Sequence, residues 1–101
     1  MIKWGIIGLG NMAQKFASSI QETDNARLVA LSSLNSKKLE IFSSNFNIEK
    51  KLLFNNYQDL IKCDEIDAVY IATLNNTHLD LIKLCAENKK NILCEKPMSL
   101  N

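Results

Sequence analysis

Four stretches of this 101-residue chain carry residues whose types and spacing could do chemistry. The first, Gly8-Leu9-Gly10-Asn11-Met12-Ala13, satisfies G-x-G-x-x-A. In a strand-to-helix turn, Gly8 would permit the sharp bend, Gly10 would let a pyrophosphate approach the main chain, and Ala13 would let helix pack closely on sheet. The N–H groups of Gly10, Asn11 and Met12 would then meet the anion at the positive end of a helix dipole. A glycine turn with no ligand is the alternative.

The second stretch is Glu95-Lys96-Pro97. A lysine held at a strand end could donate a proton to a carbonyl oxygen as hydride reaches its carbon, a general acid contribution of about 10²- to 10⁴-fold. A strand broken by proline, with an exposed charged pair, is the structural alternative. The third stretch is Ser32-Ser33-Leu34-Asn35-Ser36-Lys37-Lys38. Dinucleotide folds commonly place here an acid for a ribose 2′-hydroxyl or a cation for a 2′-phosphate. Hydroxyls and two lysines without an acid favour NADP over NAD, by a surface contact of roughly 1 kcal/mol, under tenfold. Lys37 and Lys38 read equally well as solvated helix residues. The fourth stretch, Ala72 to Asp80, holds Asn75, Asn76 and Thr77 as candidate helix caps and the only histidine, His78. No serine or cysteine stands at motif spacing from it, so a hydrolytic triad is not indicated.

These residues need elements to position them, and the apolar pattern supplies a series. Residues 2–8 read as a buried strand closed by glycine, and from Asn11 to near Thr23 an apolar stripe of Met12, Phe16 and Ile20, with Ala13 and Ala17, has helical period. "RLVALSSL" is a second strand, and "SKKLEIFSSNF" a second helix with Leu39, Phe42 and Phe46 on one face and Ser36 as N-cap. "KLLF" is a short third strand, and "NYQDLIKC" a brief helix. "IDAVYIAT", apolar on both faces, is expected to be the central strand. "NTHLDLIKLCAENKK" and "NILCEK" complete a β-α-β-α-β-α-β-α-β series. The alternation implies a doubly wound parallel α/β sheet of about five strands, with ligands at its carboxyl edge.

Composition narrows the classes. Apolar residues make up 47% and charged residues 23%, the mix of a globular domain. The net charge of +1 gives no basic face for nucleic acid or an anionic membrane. Three cysteines without Cys-x-x-Cys spacing suggest neither a disulfide framework nor a metal site, and fit a reducing cytoplasm. Residues 1–101 read as one domain without a targeting segment or membrane span. The chain ends on Asn101, a good N-cap residue with no helix to cap, and is expected to be incomplete there or a fragment.

With "GIIGLGNMA", "IDAVYIATLNNTH" and "NILCEKPMSLN" in this order, the whole chain resembles the N-terminal Rossmann domain of the Gfo/Idh/MocA oxidoreductases, the glucose–fructose oxidoreductase and inositol dehydrogenase family. The glycine loop occurs in many Rossmann proteins, whereas the Glu-Lys-Pro strand end is the family's own mark. The resemblance implies NAD(P)-dependent hydride transfer to or from a sugar, cyclitol or related hydroxyl or carbonyl compound. It implies that Leu9 to Met12 form the pyrophosphate loop and that Ser33 and Lys38 sit at the adenosine ribose or its 2′-phosphate. It places Thr73, Asn75 and His78 beside the cofactor, Glu95 on the nicotinamide side, and Lys96 as the catalytic lysine. Leu74 stands where many members have proline, and Leu34 where NADP-using members often have arginine. Members carry a second α/β domain that binds substrate, and this chain is expected to stop before it and to turn over little by itself; a homo-oligomer is left open for the full-length protein. A nucleotide-sensing Rossmann module without chemistry and an inactive fragment that binds nothing are the competing readings.

Overall fold

The computed structural model describes residues 1–72 and 78–94. Nine main elements alternate along it: β1 (Ile2–Ile7), α1 (Asn11–Gln21), β2 (Ala26–Ser32), α2 (Ser36–Phe46), β3 (Leu53–Phe54), α3 (Tyr57–Ile61), β4 (Ala68–Ile71), α4 (His78–Glu87) and β5 (Asn91–Cys94). All strand pairs are parallel, in the order β3-β2-β1-β4-β5. The expected doubly wound sheet is therefore present. The chain winds outward from β1 through β2 to β3, then crosses back past β1 to β4 and β5. That reversal creates a switch point between β1 and β4 at the carboxyl edge of the sheet.

Three details differ from the sequence expectation. The middle strand is β1, and β4 lies between it and β5. Complete burial of Ala68, Val69, Tyr70 and Ile71 reports an interior strand, which both β1 and β4 are, so burial pattern alone cannot rank them. The third strand shrinks to two residues because Lys50–Leu52 form a 3₁₀ turn instead of extending. Met12 leaves the buried stripe of α1: Ala13, Ala17 and Ile20 face the sheet, while Met12 lies exposed in the first turn, past the end of β1.

Both faces of the sheet are covered. On one, Phe16 of α1 stacks on Tyr70 of β4, with centroids 4.0 Å apart and planes 7° from parallel. Trp4 of β1 meets the Phe16 ring edge-on, with centroids 5.0 Å apart. These contacts fix α1 across β1 and β4, and so fix where its N-terminus points. On the other face, Gly5 leaves the room that Leu60 of α3 and Ile66 fill, both buried. The amino edge is tied by hydrogen bonds. The N–H of Lys3 donates to Asp67 Oδ2 at 3.0 Å, and Lys90 Nζ donates to the carbonyls of Cys63 and Ile66 at 2.6 and 2.8 Å.

Candidate functional site

The carboxyl edge of the sheet gathers the described candidate residues. Gly8 ends β1 with φ of 87°, the left-handed region where any side chain is strained, and its N–H donates to the carbonyl of Ser32 at 3.0 Å. The loop thus starts tied to β2 while turning sharply. Leu9 is 6% exposed and anchors the turn in the core, so only its main chain remains for a ligand.

Gly10 is the N-cap of α1, in extended conformation, and no side chain caps the helix there. Its carbonyl accepts the first helical bond, from the N–H of Gln14 at 3.2 Å. A Cβ built on Gly10 would meet nothing within 4 Å, so open space lies over this part of the main chain. The first turn holds no acid, and Asn11 and Met12 are exposed. Uncapped N–H groups, a positive dipole end and open space together make a seat for an anionic group. The loop therefore fits the pyrophosphate of a dinucleotide.

The β2–α2 turn lies beside it. Ser32 is fully buried and its hydroxyl donates to the carbonyl of Asn56 at 3.0 Å. Ser33, also buried, donates its N–H to the carbonyl of Phe54, and its Oγ accepts from the N–H of Asn35 at 3.0 Å. Asn35, not Ser36, is the N-cap of α2; its Oδ1 accepts from the N–H groups of Lys37 and Lys38 at 3.0 and 3.2 Å. Ser36 is already helical, because the turn that seats Leu39 and Phe42 against the sheet starts one residue earlier than a serine cap would allow. Asn and Ser are equally strong N-cap residues, so cap preference in the sequence does not separate Asn35 from Ser36. Lys37 and Lys38 are exposed, and Leu34 is 76% exposed.

At the far side of the switch point the N–H of Ala72 donates to the carbonyl of Ile7 at 2.9 Å, holding the ends of β4 and β1 together. His78 is the first residue of α4. Thr73, Asn75, Glu95 and Lys96 lie outside the described residues. β5 reaches the same edge, Cys94 standing in register with Ile71. A depression of about 270 Å³ bordered by Ile20, Thr23, Arg27 and Phe46 sits at the opposite, amino edge and contains none of the candidate residues. Among the described residues no group of three His, Cys, Asp or Glu could hold a metal ion, and no helix is long and apolar enough to cross a membrane.

The family model of Gfo/Idh/MocA, an oxidoreductase family with an NAD-binding Rossmann fold, matches residues 2–101. Among curated proteins, the chain is 35% identical over 97 residues to myo-inositol 2-dehydrogenase of Thermotoga maritima, covering 96% of this chain and 28% of that protein. It is 34% identical over 102 residues to trans-1,2-dihydrobenzene-1,2-diol dehydrogenase of Xenopus tropicalis, covering 98% and 30%. Among solved structures, scyllo-inositol dehydrogenase of Lactobacillus casei with bound NAD(H) and scyllo-inositol superimposes with a TM-score of 0.88 at 29% identity, over 100% of this chain and 29% of that one. The chain spans about 30% of the length of the curated relatives it matches.

Proposed function

Since the chain belongs to the Gfo/Idh/MocA oxidoreductases, with their NAD-binding Rossmann fold, we propose that it forms the cofactor-binding part of a dehydrogenase or reductase acting on a sugar, cyclitol or related hydroxyl or carbonyl compound. The observation that carries this is the uncapped N-terminus of α1 beneath Gly10, open to approach at the switch point between β1 and β4. The bound nicotinamide supplies the chemistry of accepting or donating a hydride. The chain's own residues do the rest. Leu9, Gly10, Asn11 and Met12 hold the pyrophosphate through main-chain N–H groups and the dipole of α1, and Gly8 supplies the sharp turn that brings them to it. Ser33 and Lys38 receive the adenosine ribose, with NADP modestly favoured over NAD because the turn carries cations and hydroxyls but no carboxylate. Thr73, Asn75 and His78 line the loop beside the cofactor, and Glu95 orients its nicotinamide end.

Lys96 holds the proton that the substrate oxygen takes or gives as its carbon changes oxidation state. An ammonium on a four-carbon stem has the reach and the donor for that step. Steady-state assays of the full-length protein with NADP⁺ and NAD⁺ against a panel of sugars and cyclitols test the assignment. Lys96→Ala should lower kcat by about 10²- to 10⁴-fold while the cofactor Kd stays within about twofold. Unaltered turnover in that variant would remove Lys96 from catalysis. Cofactor binding with no turnover of any substrate, in wild type and variant alike, would instead favour a nucleotide-sensing module.

A further inference from the structure

This inference rests on the cofactor reading above and concerns what aims α1 at the pyrophosphate. The N–H groups at the start of α1 serve an anion only while they are held in place, and no side-chain cap fixes them. The buried face of the helix leaves one motion open. Ala13 and Ala17 are fully buried against the sheet, and Ile20 is nearly so. The two alanines let the helix sit close but end at Cβ, so they set its height above the strands and not its sideways swing. Phe16 lies six residues beyond Gly10. That is about 9 Å along the axis, so a pivot of about 5° at that level moves the helix start by about 0.8 Å. A preorganised site tolerates only about 0.5 Å.

Phe16 supplies the missing restraint. Its ring stacks on Tyr70 of β4, centroids 4.0 Å apart and planes 7° from parallel, while Trp4 of β1 closes on it edge-on at 5.0 Å. Tyr70 stands in register with Ile6, one residue short of the Ile7 and Ile71 pair that ends the two strands. The ring carried by α1 is therefore gripped by the two strands whose parting forms the crevice. Stacked and edge-on rings prefer particular geometries, which an aliphatic side chain does not impose. We infer that Phe16 is a positioning residue for the cofactor: clamped between Tyr70 and Trp4, it fixes the swing of α1 and so holds the N–H groups of Gly10, Asn11 and Met12 on the pyrophosphate. The restraint acts on the part that NADP and NAD share, so both depend on it alike.

Three variants separate positioning from packing. Phe16→Leu removes the ring but keeps an apolar side chain and a good helix former. Phe16→Tyr keeps the ring. Ile20→Val trims the same buried stripe one turn further along, away from the helix start. Calorimetric titration of wild type and variants with NADP⁺ and NAD⁺ reads the dissociation constants, with urea unfolding and circular dichroism recording stability and helix content. Phe16→Leu should weaken both dinucleotides by about fivefold or more. Phe16→Tyr should hold both within about twofold, because the stack survives. Ile20→Val should lower the urea midpoint yet also stay within about twofold in affinity. Should Phe16→Leu not fold, Phe16→Met, likewise without a ring, carries the same expectation. Wild-type affinity in the variant without a ring, or an equal loss in Phe16→Tyr or Ile20→Val, overturns the inference while leaving the cofactor reading intact. Failure of the wild type to bind either dinucleotide defeats the reading and the inference together.

Discussion

Gly5 and Gly10 flank the same turn of chain, yet the missing side chain serves opposite directions. At Gly5 the space is taken by the protein: an added Cβ would stand 3.0 Å from both Leu60 Cδ2 and Ile66 Cδ1. At Gly10 an added Cβ would meet nothing within 4 Å. One glycine lets α3 settle on the sheet, and the other keeps the start of α1 open to something from outside. A glycine whose vacant volume is filled by buried neighbours is a packing residue. One whose vacant volume faces outward above uncapped N–H groups is the residue we propose for the pyrophosphate.

Substituting each glycine breaks the comparison in its own way. Gly5→Val drives a branched side chain into buried Leu60 and Ile66 and should cost about 3 kcal/mol of folding stability, the upper range for overpacking. Urea unfolding measures this, and an unchanged midpoint would show that the α3 face has slack. Gly10→Ala should do the reverse. Its Cβ enters space the pyrophosphate needs, so NADP⁺ should bind about 30-fold more weakly, about 2 kcal/mol. Folding stability should fall by no more than about 1 kcal/mol, the cost of losing a glycine N-cap. Equal affinity in wild type and Gly10→Ala would move the phosphate seat elsewhere.

Gly10 was more legible in the sequence than Gly5. Gly8, Gly10 and Ala13 stand in a spacing with a known mechanical reason, and alternating apolar periods located every strand and helix around them. Gly5 belongs to no such pattern, because its partners Leu60 and Ile66 arrive from far along the chain. For the same reason the centre of the sheet went to β4 instead of β1: strand order is set by where crossovers pass, and residue types within a strand register only whether both faces are covered. The cap of α2 was ambiguous between adjacent Asn35 and Ser36, both competent, and the phase of Leu39 and Phe42 against the sheet decided it. Lys96 and Glu95 stood out by motif alone.

The inward and outward division extends to the lysines, where it has a smaller and separable test. Lys37 and Lys38 are exposed at the carboxyl edge, whereas half-buried Lys90 turns its ammonium onto the carbonyls of Cys63 and Ile66 behind α3. Those carbonyls lie where the chain leaves α3 for β4, so the lysine at the head of β5 ties two crossovers together at the amino edge. Nothing in the sequence separates Lys90 from Lys89 beside it; the difference is made by α4 ending with Lys89 at φ of 58°, which turns the chain back toward the sheet. Lys90→Met keeps the apolar stem and removes the donor, leaving two carbonyls short of a partner. It should lower stability by about 1.5 kcal/mol, the typical scale for losing charged hydrogen bonds to the main chain. Cofactor affinity should remain within about twofold, because the clamp and the glycine loop lie at opposite ends of the sheet. Denaturant unfolding and calorimetry on the one variant read the two quantities separately. A drop in affinity without loss of stability would show that the two ends of the sheet are coupled.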